Sequence, residues 1–221
     1  MGSGVDINAL RLTAEQGCAD ASFRLGWIYY EGLGVTKDNA EAVKWYHKAV
    51  DQGHEDAQYR LGWIYLYCPD LLRSSAEAAK WFHLAAEQGH VEAQLHLVLM
   101  YFAGIGVKKD EAEAVNWIYK SAEQGNSWAQ STLGFMYFEG YGVERDEVKA
   151  AKWYCKAAEQ GNTWAQSEMG HIYSEGLGVA KDNAEAVNWY RRAAEHGHSS
   201  AQIKLGIKYS EGLGVEKDDV E

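Results

Sequence analysis

Proline is nearly missing from this chain: Pro69 is the single one in 221 residues. Glycines are spread evenly, and no low-complexity stretch or composition shift marks a linker, so no domain boundary is expected. Long apolar runs are missing too. None approaches the roughly 18–20 residues that a membrane-spanning helix needs. Cysteine is scarce and irregular. Cys18, Cys68 and Cys155 cannot all pair, which excludes the even, regularly spaced set of a disulfide scaffold. Reduced thiols point to a cytoplasmic setting, and a secreted or periplasmic one stays open should a leader have been removed. Positive charge is in short supply, with 21 Lys and Arg against 32 Asp and Glu. The resulting net charge of −11 argues against nucleic acid and anionic membrane as partners. The start, residues 1–4, has neither the basic nor the apolar part of a signal peptide and reads as an expression scar.

What the chain has instead is repetition. Leu33 to Tyr46 reads LGVTKDNAEAVKWY, and Leu177 to Tyr190 reads LGVAKDNAEAVNWY. The pair Gln16-Gly17 returns as Gln52-Gly53, Gln88-Gly89, Gln124-Gly125 and Gln160-Gly161, always 36 residues on. A fixed period of this size is the signature of a stacked repeat array. The array divides into a partial repeat 5–17, full repeats 18–53, 54–89, 90–125, 126–161 and 162–197, and a partial repeat 198–221.

One repeat is two helices. Ala21, Leu25 and Tyr29 fall at i, i+4 and i+8, one stripe of a helix A. Gly32 closes it in the left-handed conformation that lacks a Cβ penalty. Asp38 reads as the N-cap of helix B, and Glu41 three residues on completes a capping box. Helix B then places Ala42, Trp45, Tyr46 and Ala49 on one face and ends at Gly53. Neither helix is long enough to persist alone, so each needs its neighbours. Down the chain, Leu25 becomes Leu61, Leu97, Leu133, Met169 and Leu205, and Trp45 becomes Trp81, Trp117, Trp153 and Trp189.

These columns, A-x-x-x-L-G-x-x-Y-x-x-G-x-G-V-x-x-D-x-x-x-A-x-x-W-Y-x-x-A-A-x-Q-G, resemble the Sel-one-like repeat family, relatives of the tetratricopeptide repeats. The resemblance implies an all-α fold, a right-handed αα superhelix of helix-turn-helix repeats. It also implies a scaffold or adaptor that binds a protein or peptide, with helix A lining the concave groove.

Repeated columns hold the stack, and unrepeated ones are free for recognition. On helix A the face away from the Ala/Leu/Tyr stripe changes from repeat to repeat. The candidate groove residues are Phe23, Arg24, Trp27 and Tyr30 in the first full repeat, and Tyr59, Arg60, Trp63 and Tyr67 in the second. The third offers His96, Leu99 and Phe102, the fourth Trp128, Phe135 and Phe138, and the fifth Trp164 and His171. Large aromatics on a nominally exposed face have the composition of interface anchors.

Other motifs carry less. The Gly-x-Gly loops follow a helix instead of leading from a strand into one, so they read as C-caps and turns, not phosphate cradles. His54, His90 and His198 share a column with Asn126 and Asn162 and read as solvent-facing turn residues, and His196-x-His198 is not expected to bind a metal. The column of Cys155, shared with His47, His83, Tyr119 and Arg191, reads as solvated. No Ser/His/Asp or Cys/His arrangement supports an enzyme, and no cofactor is expected. Cysteine-rich relatives make β-lactam binding or hydrolysis the alternative, and a purely architectural segment of a longer repeat protein is another. At the C-terminal end, Ala201, Leu205 and Tyr209 form an apolar stripe with no helix B after it. Head-to-tail self-association through residues 199–215 follows as an expectation.

Overall fold

The structure, a computed structural model, describes residues 6–68 and 74–214. The expected scar at 1–4, Pro69 and residue 215 of the segment expected to self-associate lie outside the described residues. The described residues form twelve α-helices and no strand. They group into two compact units that divide after Lys109, between the two helices of the third full repeat. The first unit holds α1 (Ile7–Glu15), α2 (Ala19–Glu31), α3 (Asn39–Val50), α4 (Glu55–Tyr67), α5 (Ser75–Glu87) and α6 (Val91–Ala103). The second holds α7 (Glu111–Glu123), α8 (Ser127–Glu139), α9 (Glu147–Glu159), α10 (Thr163–Glu175), α11 (Asn183–Glu195) and α12 (Ser199–Glu211). Even-numbered helices are helix A of a repeat and odd-numbered ones helix B. Within each unit every helix packs on the next, most closely where a helix A meets the helix B that follows it.

The repeated columns explain that closeness. Leu25, Leu61, Leu97 and Leu133 are wholly buried. The helix A glycine that follows Leu25, Leu61, Leu133 and Met169 is a socket for an aromatic ring of helix B. A Cβ on Gly26 would stand 2.7 Å from the Tyr46 ring, one on Gly62 2.7 Å from Phe82, and one on Gly170 2.5 Å from Tyr190. Ala42 and Ala49 flank Tyr46 at zero exposure, so the two backbones come together around one ring.

The turns do two jobs. Gly176 takes φ 75°, and the Leu177 amide reaches back to the Ile172 carbonyl at 3.0 Å, which closes α10. The second glycine, Gly178, lies against the start of α9, where a Cβ would be 2.4 Å from the Glu147 backbone. The Gly-x-Gly spelling is therefore a cap followed by a contact between repeats. The sequence reading recognised only the cap.

Three expectations need correction. The capping boxes are half made. Asp38 accepts from the Glu41 amide at 2.9 Å and Ser74 from the Glu77 amide at 3.2 Å, but the glutamates turn away to Lys44 and Lys80. The cap amides are already engaged: Asp38 donates to the Tyr29 carbonyl at 2.9 Å and Asp182 to that of Tyr173 at 2.9 Å. The loop is thus stitched to the helix before it, leaving no donor for a glutamate. Asp146, followed by Lys149 in the glutamate place, caps equally well, through the Lys149 amide at 2.9 Å.

The His/Asn column is not a solvent-facing turn. His90, Asn126, Asn162 and His198 are N-caps of helix A, accepting from the amide three residues on. The side chain of His90 is only 9% exposed. The reason is that the turn after helix B folds inward to start the next helix A. Nor is the Cys155 column solvated throughout. His47, His83 and Cys155 are half-buried. The column reaches the tyrosine of the following helix A: Arg11 bonds Tyr29, His83 bonds Tyr101 at 2.9 Å, and Arg191 donates to Tyr209 at 2.8 Å.

Candidate functional site

A second buried feature lay unread in the sequence. The Gln column, Gln94, Gln130 and Gln166, is buried, and each side-chain amide donates to a last-turn carbonyl of the preceding helix B, those of Ala86, Ala122 and Ala158. With caps, sockets and glutamines committed to holding the stack, the outer face of helix A is what remains.

In the first unit that face is a continuous aromatic surface. Trp27, Arg24, Tyr67 and Leu99 are exposed, and Leu99 keeps 55% of its surface in water. Tyr30 meets Trp63 edge-on at 6.0 Å, Trp63 meets Tyr67 at 5.1 Å, and Tyr67 meets His96 at 6.2 Å. Phe23 and Tyr59 have a different place. They are half-buried beneath the caps of the next repeat, Phe23 stacked on His54 at 4.6 Å and Tyr59 on His90 at 4.4 Å. Those histidines also approach Asp20 at 3.4 Å and Asp56 at 3.3 Å. His96 is half-buried as well, stacked on Phe82 at 4.6 Å. Arg60 and Phe102 are half-buried. Burial, and then the neighbouring Cys68 thiol, push the Tyr30 hydroxyl up to about 12, while Arg60 pulls the other way.

In the second unit the exposed tryptophans sit elsewhere, while Phe135 keeps the column of Trp27. Trp128, at 47% exposure, and Trp164 occupy the column that holds Asp20 and Asp56 in the first. Phe135 and Trp164 approach at 5.9 Å, Trp164 stands edge-on to Tyr154 at 5.6 Å, and Phe135 meets Tyr141 of the following turn at 5.6 Å. Tyr141 was not among the expected groove residues, because the turn was read as a connection only. Phe138 and His171 are half-buried, and Arg145 lies over the Phe138 ring at 5.6 Å.

The helix B tryptophans belong to the stack. Trp45, Trp117, Trp153 and Trp189 are buried. Each carries a cation from its own helix one turn on, Lys48 at 4.0 Å, Lys120 at 3.9 Å, Lys156 at 4.0 Å and Arg192 at 4.6 Å. This i, i+3 pairing is legible in the sequence once the column is known.

Chemistry that would need an activated group finds little support. Burial, and then the charge of Glu159, raise the Cys155 thiol above its ordinary range, the opposite of what a nucleophile requires. Among the described residues no three His, Cys, Asp or Glu side chains gather to hold a metal, and no helix is long and apolar enough to cross a membrane.

The Sel1 repeat model matches residues 19–54, 55–90, 91–126, 129–162, 165–198 and 199–221. Among solved structures, the chain is similar to a protective antigen present in uropathogenic Escherichia coli strains, which displays the Sel1-like repeat fold. The identity is 42%, over 97% of this chain and 46% of that one, with a TM-score of 0.86. It therefore spans about half the length of that relative. A Sel1 repeat protein from Oxalobacter formigenes is 34% identical over 92% of this chain and 84% of its own, with a TM-score of 0.79. No curated protein matches.

Proposed function

Because the chain belongs to the Sel1 repeat family, whose members are generally scaffolds for protein–protein interaction, we propose that it binds a protein or peptide partner along the outer face of its A helices. One observation carries this reading: the exposed rings Trp27, Trp128, Phe135 and Trp164 all stand in columns that the repeat does not conserve in register. Aromatic side chains bury large area at little entropic cost, which is what an adaptable anchor requires. The reading is non-catalytic, and the raised Cys155 thiol disfavours that side chain as a nucleophile. Selection of a random-peptide phage library on the protein tests it. Selected peptides should lose at least about tenfold in affinity when Trp27 and Trp63, or Trp128 and Trp164, become alanine, with the thermal midpoint unchanged. Unfolding of those variants would instead mean that the rings hold the stack.

A second reading concerns α12. Gly206 is the only socket glycine among the described residues with nothing within 4 Å of a Cβ position, and Ile203 beside it is 66% exposed. A second copy could dock a helix there head to tail, through residues 199–215. Sedimentation at rising concentration, with Ile207→Glu as control, checks this: a concentration-independent monomer removes it.

A further inference from the structure

Several rings of the second unit already have a cation of their own. Lys149 lies over Tyr137 at 5.2 Å, Arg145 over Phe138 at 5.6 Å, Lys156 over Trp153 at 4.0 Å, Arg192 over Trp189 at 4.6 Å and Lys204 over Tyr190 at 5.5 Å. No such cation lies over Trp128, Phe135 or Trp164 among the described residues. These are also the exposed rings of the helix A face, and the Phe135 and Trp164 rings stand 5.9 Å apart.

Carboxylates share the same face. Glu168 follows Trp164 by one helical turn, Glu175 ends α10, and Glu139 follows Phe135 by one turn. None of the three forms an ion pair among the described residues. Glu175 only accepts from the Ser174 hydroxyl, at 3.1 Å. Their negative charge is felt on this face: Glu168 and Glu139 add to the burial that raises the Tyr154 hydroxyl, and Glu168 and Glu175 do the same at Tyr190. The column that gives the first unit Arg24 and Arg60 gives the second Thr132, Glu168 and Lys204, and Lys204 lies over Tyr190, so the repeats that carry Trp128, Phe135 and Trp164 have no cation in this column. His171 is half-buried, and Lys204, Lys208 and Glu211 line one pocket with it and Glu175; Lys204 lies over the Tyr190 ring and Lys208 donates to Asn183.

Resting on the reading that helix A faces take peptide, we propose that the second unit's face recognises an arginine-bearing segment of a partner protein. Its guanidinium groups would lie against the Trp164, Phe135 and Trp128 rings and pair with Glu168, Glu139 and Glu175. A planar cation suits both demands at once, because it stacks on a ring face while its edge donates to carboxylates. The attraction would guide approach as well as hold the complex, so it must weaken with salt.

The probe is a fluorescein-labelled decapeptide of alternating arginine and glycine, compared with the same peptide carrying citrulline, which keeps the shape and removes the charge. Anisotropy at low salt should show the arginine peptide binding at least about tenfold more tightly than the citrulline one. Glu168→Gln with Glu139→Gln should weaken it by about fivefold or more, and Trp164→Ala by a similar factor. Glu123→Gln with Glu195→Gln, on exposed helix B positions, should leave it within about twofold. Equal binding of the citrulline peptide would overturn the proposal. So would an equal loss in the helix B variant, which would mean that the net charge alone attracts the probe. If library-selected peptides bind at the helix A rings while the arginine probe does not, this inference fails alone. If neither binds there, the broader reading has failed first.

Discussion

The two units solve one packing problem with one scaffold and then dress it differently. Take the slot where an A helix meets the cap of the next repeat. In the first unit a ring fills it: Phe23 lies under His54, and Tyr59 under His90, with Asp20 and Asp56 beside the histidines. In the second unit Ser131 takes the ring's place, and the Asn162 amide donates to its hydroxyl at 3.3 Å. The exposed tryptophan moves as well, from Trp27 in the first unit to the aspartate column, at Trp128 and Trp164, in the second. Columns under the stack cannot vary without a clash, whereas columns above it can exchange ring for hydroxyl or charge for ring. The first unit ends up with an aromatic face that includes Arg24 and Arg60, the second with an aromatic face that includes Glu139, Glu168 and Glu175.

If the scaffolds are equivalent, cutting the same column should cost the same in both units. Leu61→Ala and Leu133→Ala each remove a wholly buried side chain, and each should lower stability by about 2–5 kcal/mol. Chemical denaturation checks this. A cost near zero in one unit would break the equivalence.

The sockets give a smaller effect of the same kind. Gly62→Ala and Gly170→Ala push a Cβ into the Phe82 and Tyr190 rings and should cost about 1–3 kcal/mol. The third full repeat sharpens the point, because Val98 replaces the socket glycine there, and Ile118 stands in the column of the ring. Gly206→Ala, with no atom in reach, should be close to neutral or slightly stabilising, since a helical glycine is replaced by alanine. Chemical denaturation reads all three.

The divergent slot should respond to its own chemistry. Asn162→Ala removes both the cap to the Ala165 amide and the bond to Ser131, a loss of about 1 kcal/mol or somewhat more. Asn162→His would restore the cap but bring no ring partner, so it should recover only part of that. Full recovery would mean that the ring–histidine stack of the first unit contributes nothing of its own.

The smallest difference is in pH. The cap of α5 is Ser74, which does not titrate, and that of α9 is Asp146. The Lys149 amide, and then its side chain, hold the Asp146 carboxyl below its ordinary value of 3.8. A carboxyl depressed by folding adds stability that is present above the unfolded value and lost as pH falls through the folded one. Asp146→Asn should therefore lower the melting temperature slightly at neutral pH, and the difference from the natural chain should shrink and disappear as pH falls below about 3.8. Ser74→Ala should lower the melting temperature by the same amount at every pH.

How much of this was legible follows the same division. Period, the two helices of each repeat, the Asp and Ser caps of helix B, the closing glycines and the buried Leu column could be read directly, because each is a residue type that recurs for one local reason. The second glycine of each turn, the Gln column and the tyrosine stitched to the following cap were not. They bond to a neighbouring repeat, and a pattern within one repeat does not say which neighbour is touched. The sixteen expected groove residues split for the same reason. Helical geometry put all of them on one side of helix A, but only the structure separates Trp27, Trp128 and Trp164, which face water, from Phe23 and Tyr59, which lie under a histidine.

The nine tryptophans give the most direct test, since each indole N–H is a separate proton NMR signal and the two helices divide them. Trp27, Trp63, Trp128 and Trp164 lie on helix A, and Trp45, Trp81, Trp117, Trp153 and Trp189 on helix B. With signals assigned by single Trp→Phe substitutions, a library-selected peptide is titrated into the labelled protein. The account predicts that shifts gather on the helix A indoles while the helix B set stays in place. Shifts confined to Trp45, Trp81, Trp117, Trp153 and Trp189 would contradict it.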